Sequence, residues 1–352
     1  MLKSKDMDKD SIGMSRPLLD TPLERFGAVG LIIVLAAGSM MMSSYHLSLL
    51  TTITIFALSV MGLNLLSGNA GLISIAHAAF MGLGAFTAAW FAIDVGIPVL
   101  IAIILAGIVS AGVGLLFGIP SLRLSGLYLI LATFAAQVIL YWFFEQALWL
   151  TKGPDGRFAG VMTIAGFTFD NPWHYYLLVL AFTIAGAVVY LNILRSGLGR
   201  SMEVIKERPI VSQMMGVDLQ RTKLIAFIIG HFYAGIAGAL YGWHLQFVAT
   251  EAFDLMRSIE LLVMIIIGGL GSLSGAILGA AFIVAIPEVL DVIGRGLVDD
   301  MAIMAPLRMF IFGLLVVIFL IYEPRGLARS WQKLIRYVNN LLFNTNKENK
   351  VT

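Results

Sequence analysis

Ten apolar runs of about twenty residues each are the feature that most restricts what this chain can fold into. They lie near 27–44, 47–66, 72–93, 98–118, 125–148, 174–194, 225–247, 258–275, 276–294 and 303–322. Each is close to the ~20 residues that cross ~30 Å of hydrocarbon as a helix. Only 12% of the 352 residues are charged and 59% are apolar. A water-soluble chain of this size exposes far more polar surface than that composition can supply. Lipid is the solvent that fits, and the fold class expected is an all-α polytopic membrane protein of roughly ten transmembrane helices.

The basic residues set an orientation. Of 23 Lys and Arg, five fall in 1–25, six in 195–223 and six in 323–352, while Arg123, Lys152, Arg157, Arg257, Arg295 and Arg308 are scattered over the rest. The positive-inside rule makes those three segments cytoplasmic, and ten crossings put both termini and the 195–223 loop on that side. The expected division is an N-terminal tail 1–26, a transmembrane domain 27–322 containing the loop 195–223, and a C-terminal tail 323–352. The first run lacks a small-residue cleavage site and reads as a retained span, not a signal peptide. Segments 149–173 and 248–257 then lie outside. With no Cys, disulfides and thiolate metal sites are excluded. The net charge of +2 is no sign of a nucleic-acid partner.

The loop 195–216 is too long for a simple connection and too polar for lipid. Ser201 is placed to cap a short helix whose Met202 and Ile205 share one face, with Glu203, Lys206 and Glu207 toward water. Pro209 can start a second turn and Gly216 can stop it. Such a helix under a membrane domain is either a docking element for a soluble partner or a charged connection.

Polar groups at membrane depth are costly, so each is a functional candidate. Ser74 and His77 follow a glycine-rich turn; the histidine either lines a path or bonds a neighbouring helix, the second reading being preferred. Thr133 and Gln137 share a helix face, two turns before Glu145, and fit either a polar route or an interhelical bond. His231 and His244 lack a metal-ligand spacing and read as structural. Glu260, just after Glu251, Asp254 and Arg257, fits a role at the outer mouth, a docking contact or a solvated rim pair with Arg257. Gly82 with Gly84, Gly235 with Gly238, and Gly275 with Gly279 leave helix faces bare for close packing. Gly68 and Gly71, and Gly268, Gly269 and Gly271, break two spans at comparable turns, as substrate sites or as tight turns at the cytoplasmic face.

The stretch 67–86, SGNAGLISIAHAAFMGLGAF, resembles the corresponding signature of LivM-type permeases, membrane subunits of branched-chain amino acid ABC importers. The resemblance continues through LRLSGLY at 122–128, TKGPDG at 151–156, KLIAF at 223–227, AGIAGALY at 234–241, IGGLGS at 267–272 and EPRGL at 323–327. It departs from the family at Arg208 and Pro209. The resemblance implies a type II ABC importer-like subunit of the bacterial inner membrane. It also implies a second related permease, two cytoplasmic ATPases that use ATP and Mg, and a periplasmic solute-binding protein. The coupling segment it implies contains Arg200, Met202, Glu203, Ile205, Lys206, Glu207, Gln213 and Gly216. The chain itself has no phosphate loop, so nucleotide chemistry is expected in the partners and no cofactor or metal here. Related permeases serve urea, amides or aromatic acids, and a stand-alone secondary transporter is the rival class. That rival needs buried carboxylates, which the span centres lack; Asp94 and Glu145 lie near span ends.

Overall fold

The computed structural model describes residues 35–121, 124, 126–153, 156–164, 167–207, 209–214, 216–294, 301–322 and 326–330. The expected tail 1–26, the start of the first run, Pro154, Asp155, Arg208 and the tail beyond 330 lie outside the described residues. Contacts divide the chain into Met1–Met41 and Met42–Thr352. In the first unit, Ser39–Met41 form a 3-10 turn, and Ser39 Oγ donates to Ala36 O at 2.7 Å.

The second unit is helical. Helix α1, Ser44–Leu63, runs on as a π-helix over Asn64–Asn69. There follow α2 (His77–Ile93), α3 (Val99–Ser121), α4 (Leu127–Gln146), the short α5 (Leu148–Thr151) and α6 (Pro172–Arg195). Then come α7 (Gly197–Glu207), α8 (Pro209–Met214), α9 (Leu219–Leu245), α10 (Leu255–Gly268), α11 (Leu273–Gly294) and α12 (Met301–Tyr322). Among the described residues, six helices are long and apolar enough to cross a membrane, and α2 is a shorter apolar helix of 17 residues. The chain is an all-α polytopic membrane protein.

Local chemistry explains several ends. Asn171, Asp218 and Asp254 accept from the backbone N–H of Trp173, Arg221 and Arg257 at 2.9, 3.0 and 2.8 Å, capping α6, α9 and α10. The apolar run 72–93 becomes helix only at His77. The boundary expected at 275/276 falls instead after Gly268, because Gly269 and Gly271 take φ of +117° and +84°, which a helix cannot continue through. At the end of the bundle away from α7, β1 (Arg157–Phe158) pairs antiparallel with β4 (Phe247–Val248), while β2 (Thr163–Ile164) and β3 (Phe167–Thr168) form a hairpin. Arg157, only 3% exposed, forms an ion pair with Asp94 and donates to Leu150 O at 2.7 Å, tying this end to the last turn of α2. Asp94 is thus held in an ion pair, and Arg257 pairs with Glu260 at 2.7 Å, as the rim-pair reading expected.

The core is built around α1 and α9, whose spans are 78% and 67% buried, against 28–39% for α3, α4, α6 and α11. Helix α9 packs along α1, α2 and α3. The crossing with α2 has backbone against backbone: a Cβ on Gly84 would land on the Gly235 backbone, and one on Gly238 on the Met81 carbonyl. Apolar area offers little net attraction between helices already in lipid, so this close approach supplies the dispersion contacts that hold the pair. A Cβ on Gly112 would meet nothing within 4 Å. Gly238→Ala is expected to cost on the order of 1–3 kcal/mol by overpacking. Thermal unfolding of the detergent-solubilised protein should show a clear drop in Tm for that variant and almost none for Gly112→Ala.

Candidate functional site

Three polar features gather where helices begin, end or break. The first is the amphipathic pair α7 and α8. Helix α7 begins at Gly197, so Ser201 is not its cap: its hydroxyl donates back to Gly197 O at 3.0 Å. The earlier start follows from α6 ending at Arg195, after which the extended Ser196 lets the chain turn at once, with Gly199 pressed on the Leu194 backbone. Arg200 folds back to donate to Arg195 O at 3.1 Å. Met202 and Ile205 share the buried face, as expected. Met202 packs with Leu66, Ala70, Leu72, Leu129, Ala226 and Phe227, drawn from α1, the following turn, α4 and α9. Burying each such side chain stabilises by roughly 1.5–3 kcal/mol, enough to hold an 11-residue helix that would not persist alone. Glu207 is exposed and Glu203 half-buried. Lys206 departs from the expectation: the residue is exposed overall, but its ammonium donates to Gly68 O at 2.6 Å. Pro209 opens α8; Gln213 is exposed and its carbonyl accepts from Gly216 N at 3.1 Å, and Gly216, at φ +78°, ends the turn.

The second feature joins the two glycine breaks to each other. Buried Asn64 accepts from Gly271 N at 2.7 Å and donates to Ser272 O at 2.8 Å. Asn69 accepts from Tyr190 OH at 3.0 Å and donates to Gly271 O at 3.4 Å. The two breaks thus face one another beside α7. Sequence reading passed over Asn64 and Asn69, although an amide inside an apolar run was the signal that could have found them.

The third feature is the start of α2. The first N–H groups of a helix have no partner within it, and at membrane depth no water substitutes. Here side chains take these groups and those of the two residues before the helix, Ser74 from the same segment and Thr133, Ser258 and Gln137 from other helices. Ile75 N donates to Thr133 Oγ1 at 3.2 Å, Ala76 N to Ser74 Oγ at 3.4 Å, Ala78 N to Ser258 Oγ at 2.9 Å and Ala79 N to Gln137 Oε1 at 3.2 Å. Gln137 also accepts from Ser258 Oγ at 2.9 Å and donates to Phe253 O at 3.0 Å. His77 Nε2 donates to Ser59 O at 3.0 Å, the neighbour-helix bond preferred from sequence. Ser74, His77, Thr133 and Gln137 are thus brought together, all at most 3% exposed. Ser258 completes the cluster and was missed, since a serine in a helix start carries little signal. His231 Nδ1 donates to Phe227 O at 2.8 Å, and His244 Nε2 lies 3.2 Å from Ser48 Oγ and from Thr52 Oγ1.

Gln137→Leu keeps the volume but leaves Ala79 N and Phe253 O without their partner. Each buried unsatisfied group costs about 1–3 kcal/mol, so this variant is expected to melt several degrees lower, with Gln137→Glu intermediate. Thermal unfolding of the purified variants checks the order.

Residues 45–320 match the family described as branched-chain amino acid transport system / permease component. The high-affinity branched-chain amino acid transport system permease protein LivM of Salmonella typhimurium is 29% identical over 337 residues, 88% of this chain and 77% of the relative. LivM of Escherichia coli is 28% identical over the same shares of each chain. The probable branched-chain amino acid transport permease protein LivM of Methanocaldococcus jannaschii is 26% identical over 66% of this chain and 69% of its own. No solved structure gives a significant match. With 45–320 matched, the chain belongs to the branched-chain amino acid transport permease family.

Proposed function

We propose that this permease is one of two membrane subunits of an ATP-driven importer for branched-chain or similar hydrophobic amino acids in a bacterial inner membrane. The observation that carries the reading is α7, fixed to the bundle through Met202 and Ile205 while Glu207 stays exposed. A helix rigidly seated on spans, with charge left outward, is suited to convey a partner's movement into the membrane domain.

In this reading the chain crosses the membrane ten times with both termini cytoplasmic, and the divisions 1–26, 27–322 and 323–352 are tail, permease domain and tail. A second related permease completes the path, two ATPases dock beneath and supply ATP and Mg chemistry, and a periplasmic solute-binding protein delivers cargo. Arg200, Met202, Glu203, Ile205, Lys206, Glu207, Gln213 and Gly216 form the coupling segment. Ser74, His77, Thr133 and Gln137 hold the start of α2 as a fixed frame beside the path; their bonds within the protein support framing. Transport is alternating access. The ATP-bound partners bias the equilibrium only through unequal affinity for its two states, and contact at α7 is where that difference acts.

The test is the reconstituted complex in proteoliposomes, with labelled leucine, binding protein and ATP. Uptake is expected to require ATP, and Glu203→Ala with Glu207→Ala to lower it about tenfold, the effect of ~1.4 kcal/mol at the docking surface, with unchanged insertion. Uptake by the chain without ATPases, driven by an ion gradient, would sink the importer reading in favour of a stand-alone transporter.

A further inference from the structure

Lys206 stands in the last turn of α7, with Glu203 three residues before it on the same face and Glu207 next in the chain, yet among the described residues neither carboxylate pairs with it. Its ammonium turns inward to Gly68 O at 2.6 Å. The stem crosses Gly71, where a Cβ would stand 3.1 Å from Lys206 Cγ, and Gly71 itself holds φ +71°. The lysine thus lies in a slot that a bare, left-handed residue leaves open.

Its acceptor is at an unusual place. Gly68 belongs to the π-helical end of the 26-residue α1 span, whose last turns close through Ala70 N to Leu65 O at 3.1 Å and Leu72 N to Leu66 O at 3.0 Å. Isolated π turns recur at functional sites because the widened turn can tighten to α geometry. The C-terminal end of a helix also carries partial negative charge, which favours an ammonium there. The same π segment holds the break between α10 and α11 through Asn64 and Asn69. A displacement of Lys206 therefore acts on α1 directly and on the α10–α11 turn through two asparagines. A single part-buried bond from lysine to a carbonyl is modest in strength, so a contact of this kind can be broken and remade in a cycle.

We infer that Lys206 is a positioning latch of the transport cycle, joining α7 to the π-helical end of α1 rather than to the ATPase. The inference rests on the importer reading for its consequence, though not for its contact. Released, α7 moves under the ATPases without drawing α1 and the α10–α11 turn with it.

The experiment compares wild type, Lys206→Met and Lys206→Arg in the full complex, reading leucine taken up per ATP hydrolysed and hydrogen exchange over residues 64–72. The latch predicts that K206M lowers uptake per ATP about tenfold while ATPases still co-purify, and that it speeds exchange over 64–72. Arginine, which can also donate to a carbonyl, restores both. Unchanged uptake per ATP in an assembled K206M complex overturns the latch. So does loss of the ATPases from K206M, which would make the residue a docking contact. Should K206M fail to assemble, exchange in K206R and Lys206→Ser, whose hydroxyl is too short to reach Gly68 O, decides: equal protection in both overturns the latch, faster exchange in K206S alone supports it. Absence of ATP-driven uptake in wild type would defeat the importer reading, and exchange then tests the latch contact by itself.

Discussion

The structure depends on one constraint: in hydrocarbon, every backbone N–H and C=O must find its partner inside the protein. Unbroken helices meet it automatically. Among the described residues helices are interrupted at the π-helical end of α1, at the start of α2 and between α10 and α11, and each interruption frees backbone groups. Thr133, Ser74, Ser258 and Gln137 take the freed N–H groups of α2, while Asn64 takes both Gly271 N and Ser272 O. The few polar residues inside the apolar runs are therefore concentrated where the backbone needs them.

Those bonds form only if the elements come close, and glycine allows that. Gly84 against Gly235, and Gly238 against the Met81 carbonyl, bring α2 and α9 together at backbone distance. Helix α9 in turn presents Ala226 and Phe227 to the cluster that receives Met202 of α7. The polar helix outside the bundle is thus seated on the same helix that organises its core. A movement imposed on α7 meets a close-packed interior, which transmits strain rather than absorbing it.

Much of this was legible from the chain alone. Period and length located the apolar helices, the 3.6-residue spacing put Met202 and Ile205 on one buried face, and Gly216 marked the end of α8. The misreadings were local in origin. Ser201 had the right chemistry for a cap, but α7 already begins at Gly197 because the chain turns without a linker at Ser196. The boundary placed at 275/276 followed hydropathy, which is blind to the positive φ of Gly269 and Gly271.

Hydropathy and the distribution of basic residues determined by themselves that this is a membrane protein of many helices and which helix carries an amphipathic face. Those are properties of neighbouring residues, and they survive without a partner. Only the tertiary structure decided where each polar group goes. Asn64 meets Ser272 across 208 residues and Lys206 meets Gly68 across 138. A lysine on the water side of an isolated helix is solvated. It becomes a tie to α1 only because the crossing of α7 over the π-helical end brings a freed carbonyl within 2.6 Å.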